Sequence, residues 1–404
     1  MGGAFGGMGM SHFVRPAVAE QLKAADKRVL VFFLAGGVSQ LETWDPKPGT
    51  DTGGPFRAIP TSVPGIHISE LLPHTAKQMH RLALVRSINT AEDDHGKGHY
   101  YMETGRRESP ALRYPTLGSA AAYLLSPKEN ALPGYIHVQP GGSGFGKQDA
   151  AFLGPRFASV GLGGGLPAEI HRPDGQREAT DQARHDLRRR VNERFLKRRR
   201  TADTEAYTQS YDQALELMKR KELFDVARLP EKQRERYGGH DFGRHCLLAK
   251  QLLEAGVTCV KVTHTNYDTH SENFDFHLEQ LGEFDRPFAT ILQDLDESGL
   301  LANTLVIVMS EFGRTPNINH LMGRDHWSRS WSIALGGAGV RRGVVIGKTN
   351  ANGTEVTDRQ VTAEHLWHTY IRALDLDPKA EYELPGDAIA VAQPGYDAIR
   401  EVLA

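Results

Sequence analysis

The chain has 404 residues, 39% of them hydrophobic and 24% charged, with a formal net charge of -2. That composition excludes a disordered or collagen-like chain, and the near-cancelled charge leaves no field favouring nucleic acid or an anionic membrane. No apolar run approaches the length of a transmembrane segment, so a soluble protein is expected.

The first ten residues are rich in Gly and Met, without a basic segment leading into an apolar core. Residues 1–27 are read as an N-terminal extension. If an upstream signal is missing, they would be the tail of an export signal, and the protein periplasmic or extracellular; otherwise it is cytoplasmic. Residues 28–404 are read as one α/β domain. The two cysteines, Cys246 and Cys259, are too few for a disulfide framework and are expected as buried thiols.

Arg28–Leu34 is continuously apolar and ends in Ala35-Gly36-Gly37, the pattern of a strand buried on both faces. Residues 82–85 predict a second strand, 96–103 and Leu117–Leu125 helices, and Tyr135–Val138 a strand. Residues 139–175 are dominated by Gly and Pro and predict a long loop. Residues 176–229 read as helical and very basic in part, and about 176–240 as a helical insertion. Its Arg-rich run reads as a solvated helix face, because acidic residues interleave with it. Helix, strand and helix come next at 242–255, 257–263 and Asn273–Glu297. Then come strands at Thr304–Met309, 331–335 and Val344–Ile346, and a closing helix at 362–374 with Thr362 as its N-cap. Buried strands alternating with helices predict a large, mainly parallel sheet flanked by helices.

Ligands of such sheets bind beyond the C-terminal ends of the strands. The polar residues at these strand ends are of one chemical kind: Asp94, His95 and His99 after the second strand; Asp268 and His270 after the 257–263 strand; Glu311 and Arg314 after Thr304–Met309; and His326 just before residue 331. Carboxylates and imidazoles gathered at one edge are costly to bury unless paired or metal-bound, and they suit zinc or another divalent ion. Arg314 is expected either to hold an anionic group through its planar fork or to pair with a carboxylate. His264 is expected to be a structural pair and His277, inside a helix, a structural or surface residue; His67, His74, His80 and His137 have no special context. Gly36-Gly37 lacks a dinucleotide fingerprint and predicts a tight turn or anion-binding loop.

GGVSQLETWDPKPG (36–49), FRAIPTSVPGIHISELLP (56–73), LALVRSI (82–88), DHGKGHYYMETG (94–105), FGRHCLLAKQLLEAGV (242–257), YDTHSENF (267–274), SEFGRTP (310–316) and GRDHW (323–327) together resemble the domain-of-unknown-function family 1501. That family is placed by similarity among alkaline-phosphatase-like and sulfatase-like proteins, many of its members being exported from bacteria. The resemblance implies an alkaline-phosphatase-like sheet, one or two divalent ions, and hydrolysis of a small anionic phosphate or sulfate ester, such as a modified glycan. It puts His95 at the nucleophile position, as nucleophile or ligand, with His99 and Arg314 as further catalytic candidates. Asp268, His270, Glu311, His326 and Asp94 become candidate metal ligands. Two positions depart from the superfamily pattern. Ala35-Gly36 stands where the first strand should end in Asp, with Glu42 or Asp45 as substitutes from the loop, and Phe312 stands where a ligand His is expected. One ion or a rearranged site is therefore expected. The competing expectation is a non-catalytic binding protein on a degenerate sulfatase-like fold.

Overall fold

The computed structural model describes residues 27–127, 132–141, 144–145, 149–165, 178–198, 208, 212–213, 215–383 and 388–404. The export-signal reading falls on residues outside this set, as does much of the expected helix at 201–229.

The strands of the main sheet are β1 (Arg28–Leu34), β2 (Leu82–Ile88), β3 (Tyr135–Val138), β4 (Gly144–Phe145), β5 (Val160–Leu162), β6 (Cys259–His264), β7 (Thr304–Met309), β8 (Trp331–Gly337) and β9 (Val344–Ile346). They lie in the order β9-β2-β8-β7-β1-β6-β3-β5-β4. All run in one direction except β8, antiparallel to β2 and β7, and β4, antiparallel to β5. Within β1, Leu30, Phe32 and Leu34 join one core and Val29, Val31 and Phe33 the other. That period of two is why the strand is apolar throughout.

The first core is closed by helices α4 (Asp241–Glu254) and α5 (Asn273–Glu297). Phe32 meets Phe242, Phe284 and Phe288 there, with ring centroids 6.2, 6.4 and 5.2 Å away. The second core is closed by α1 (His95–Thr104), α2 (Leu117–Leu125) and α6 (Ala363–Ala373). Thr362 caps α6 in a reciprocal arrangement with His365. Helix α3 (Glu178–Arg198) leaves Arg189 and Arg190 exposed, and its Arg188 pairs with Asp212 at 2.7 Å. Among the described residues no helix is long and apolar enough to cross a membrane.

The loop expected over 139–175 is partly sheet: β4 and β5 lie within it. Their two and three residues are too short for an alternation pattern, and pairing of β5 with β3 and of β4 with β5 at the sheet edge supplies what periodicity could not. Cys246 and Cys259 are free and buried.

Candidate functional site

Because β8 runs against its neighbours, the loop entering it reaches the same edge that the parallel strands leave. His326 is thus brought beside the residues just beyond β2, β6 and β7. One ligand atom each from His95, Asp268 and His326 lies within 4.8 Å of the others. His95 Nε2 is 3.2 Å from Asp268 Oδ2, and His326 Nε2 is 3.2 Å from Asp268 Oδ1. His270 Nε2 stands 3.1 Å from both Asp268 Oδ1 and His326 Nε2.

The other nitrogen of each ring explains this aim. His95 Nδ1 is 2.7 Å from Glu311 Oε1, His270 Nδ1 is 2.7 Å from Asp325 Oδ1, and His326 Nδ1 is 2.7 Å from the Asp93 carbonyl. Carboxylates and carbonyls only accept, so each Nδ1 carries a proton and each Nε2 is left turned to the centre. The three Nε2 atoms and the Asp268 carboxylate form a donor set suited to a cation. Two donors at about 2.0–2.1 Å from one tetrahedral ion stand about 3.3 Å apart, and the contacts here are 3.1–3.2 Å. His95, Asp268 and His326 therefore offer a donor set whose chemistry fits a divalent ion, with His270 against two of the three.

Electrostatics hold the carboxylates ionised. Burial would raise the Asp268 carboxyl, but the Arg314 guanidinium and the His326 ring outweigh it and hold the group at about 2. Glu311 is lowered in the same way: desolvation opposes, and the bonds from His95, Ser310 and Gly36 prevail. In return the Glu311 hydrogen bond raises His95 above its ordinary value, against desolvation. Phe312 walls the site, its ring 4.9 Å from His95 and 4.4 Å from His326.

Several expected residues stand elsewhere. Glu311 is buried and accepts from His95 and from the Gly36 N–H at 2.9 Å, so it braces His95 rather than facing the centre. Asp94 is the N-cap of α1, accepting the Lys97 N–H at 2.9 Å, and is absent from the cluster. Its residue type suits a cap as well as it suits a metal. Arg314 is completely buried. Its fork donates to the Gly36, Gly37 and Arg324 carbonyls and to Asp268, the carboxylate pairing that its charge also allowed, so no free face remains for a substrate anion. His99 faces inward on α1, 3.2 Å from Lys261 Nζ, and Lys261 pairs with Glu103 at 3.0 Å. Glu42 and Asp45 do not replace the missing aspartate. Glu42 is tied to the buried Arg324 at 2.8 Å, and Asp45 to Lys47 and Thr349. His264 meets Tyr267 and Glu283, and His277 accepts the Ser39 N–H at 3.1 Å; both are structural.

The structure also shows why Ala35-Gly36 ends the first strand. Gly36 has φ +115, and a Cβ there would lie 2.4 Å from the Asp268 nitrogen. The Asp268 segment fills the space that a side chain at position 36 would need, so a carboxylate cannot project from it. Two contributors escaped notice in the sequence. Asp325 orients His270, and Gln40 brackets the Arg314 backbone with bonds of 2.8 and 3.0 Å. Asp325 had a signal, since it directly precedes His326; Gln40 had none.

These features define a mainly parallel α/β protein with an imidazole-rich candidate ion site at the C-terminal edge of its sheet. The chain belongs to the family described as "Protein of unknown function (DUF1501)", which matches residues 26–403. A search of curated proteins found no match. Among solved structures, the chain is similar to an alkaline phosphatase superfamily protein from Vibrio parahaemolyticus (13% identity, 88% of this chain and 67% of that one, TM-score 0.38). It is similar to a sulfatase from a Pseudoalteromonas species (11%, 90% and 72%, TM-score 0.40). A third is a phosphonate monoester hydrolase from Silicibacter pomeroyi (12%, 93% and 76%, TM-score 0.41). All three likenesses are distant.

Proposed function

We propose that the protein is a hydrolase of small phosphate or sulfate esters that works with one divalent ion, zinc by preference, held by His95, Asp268, His270 and His326. The observation that carries this reading is the common orientation of the three rings: each Nδ1 is tied to an acceptor and each Nε2 is aimed at Asp268 or, for His270, also at His326. Metal-binding histidines are oriented in this way by their outer partners. When bound, the ion supplies Lewis acidity toward an ester oxygen.

The chain's own groups do the rest. Glu311 fixes the His95 tautomer. Arg314 compensates part of the carboxylate charge and holds Asp268 in place. The side chains of His95, Asp268 and His270 are 41%, 46% and 48% exposed, so an ester reaches them from solvent. With Nδ1 occupied by Glu311 and Nε2 aimed at Asp268, His95 is assigned as a ligand rather than as a nucleophile.

The second reading, a binding protein without turnover, is favoured by one observation: the Arg314 guanidinium is completely buried and spends four of its five donors within the protein. Metal content of the purified chain, measured beside hydrolysis of a phosphate and sulfate ester panel, tests both. About one ion per chain and turnover, both lost in His326→Ala, are expected. Unchanged ion content and unchanged turnover in that variant would sink the hydrolase. Binding of an ester product without turnover would leave the second reading.

A further inference from the structure

Resting on that reading of the site, we infer that its substrate is amphiphilic, an anionic ester whose uncharged part docks on an apolar rim of Phe276, Leu321 and Met322 beside His270. Three of the large hydrophobic side chains that the described residues leave exposed fall here, at 37%, 53% and 57%, and it is their placement together that is informative. They belong to two segments fastened to one another at the candidate ion site. The Glu272 N–H donates to the Leu321 carbonyl at 3.1 Å, and the Asn273 N–H to the Met322 carbonyl at 3.0 Å. Asn319 donates from Nδ2 to the His270 carbonyl at 2.9 Å, and its Oδ1 accepts the Leu321 and Gly323 N–H groups, each at 2.9 Å. Gly323 lies so close that a Cβ on it would fall 1.9 Å from the His270 oxygen. Phe276 stands one helical turn beyond Glu272 on the same face.

The loop is thus held against a proposed ligand residue while its apolar side chains point to solvent. Met322 (φ 55) and Glu272 (φ 49) both adopt the left-handed conformation that non-glycine residues avoid. Strain of this kind persists where surrounding bonds over-determine it, and it gathers at ligand sites. Continuity with the candidate ion site favours part of the same ligand as the occupant. The exposed Glu272, Asp275 and Glu279 nearby would repel an anionic membrane or a nucleic acid and leave an uncharged apolar group the better fit.

Calorimetric binding of methylphosphonate and octylphosphonate, with the matching sulfonates, to the ion-loaded full-length chain tests this. Octyl probes should bind on the order of tenfold tighter than methyl probes, as partial burial of seven added methylenes allows. The double variant Leu321→Ser with Met322→Asn, the asparagine chosen to tolerate the left-handed backbone, should lose that increment and keep the methyl affinity, which also shows that it folds. Equal affinity for methyl and octyl probes in the unaltered chain, no binding of either, or an increment that survives in the variant would overturn the inference. The site reading fails separately: His326→Ala should weaken methyl and octyl probes alike, and a chain-length increment without that loss would reject the ion site while leaving the rim.

Discussion

Replacing Glu311 by Gln should weaken ion binding without unfolding the protein. Glu311 Oε1 accepts from His95 Nδ1 at 2.7 Å and from the Gly36 N–H at 2.9 Å, and Oε2 lies 2.9 Å from Ser310 Oγ. Glutamine has the same shape. With its amide oxygen toward His95 and Gly36 those two bonds are kept, while its NH2 faces a Ser310 oxygen that already accepts the Gly37 and Val38 N–H groups at 3.1 Å each. What disappears is the charge and the Ser310 bond. Hydrogen bonds to charged groups contribute about 1.5–3 kcal/mol and neutral ones about 1 kcal/mol, so roughly 0.5–2 kcal/mol is lost from the group that orients His95. That corresponds to about 2- to 30-fold in ion affinity, overlapping the roughly 10- to 100-fold range typical of outer partners of metal ligands. Competition against a chromophoric chelator reads this directly. Asp94→Ala is the control: it removes the α1 cap and should lower thermal stability while leaving affinity unchanged. If Glu311→Gln binds the ion within about twofold of the parent, His95 does not serve as a ligand held by Glu311 and the site must be redrawn.

Two further substitutions probe the buried charges around the site. Glu42→Gln strands the buried Arg324 guanidinium and should destabilise the fold by about 3–5 kcal/mol in denaturant titration. In the parent, burial would raise the Glu42 carboxyl, but Arg324 prevails and it titrates below its ordinary value. Its stabilisation is therefore full above about pH 4.5, the ordinary glutamate value, and is lost as pH falls through the lower, folded-state value; the variant should lack that acid-side loss. Lys261→Met leaves Glu103 unpaired in the core and should cost a similar amount, whereas Lys261→Met combined with Glu103→Gln should recover most of it. Equal stability of the single and double variants would show that the pair is not coupled.

Much of the sheet was legible because its strands are buried on both faces. β7, α5 and β9 match their expected limits because apolar runs or periodicity end at recognisable stops, as at Gly299. β6 ends one residue later than expected, at His264, because that residue pairs in register with Leu34. β4 and β5 could not be read because their pairing, rather than their composition, makes them strands. In the site, the strand-end motifs named His95, Asp268, His270 and His326, which the fold brings to one place. Spacing said nothing about side-chain direction. Arg314 folds inward beneath Gly36 and Gly37, and Asp94 turns back onto its own helix, so residues of suitable type at suitable positions carry different tasks.

The reversal of β8 has a consequence for synthesis of the chain. The four proposed donors sit at positions 95, 268, 270 and 326, and the last arrives only with the loop that enters the reversed strand. A nascent chain halted before that loop carries three donors without the fourth, and no contiguous fragment shorter than residues 95–326 contains them all. Ion uptake would then report a chain extended past His326. Once bound, the ion would fasten the amino-terminal quarter to the carboxy-terminal quarter, so its release would loosen segments that are distant in sequence together.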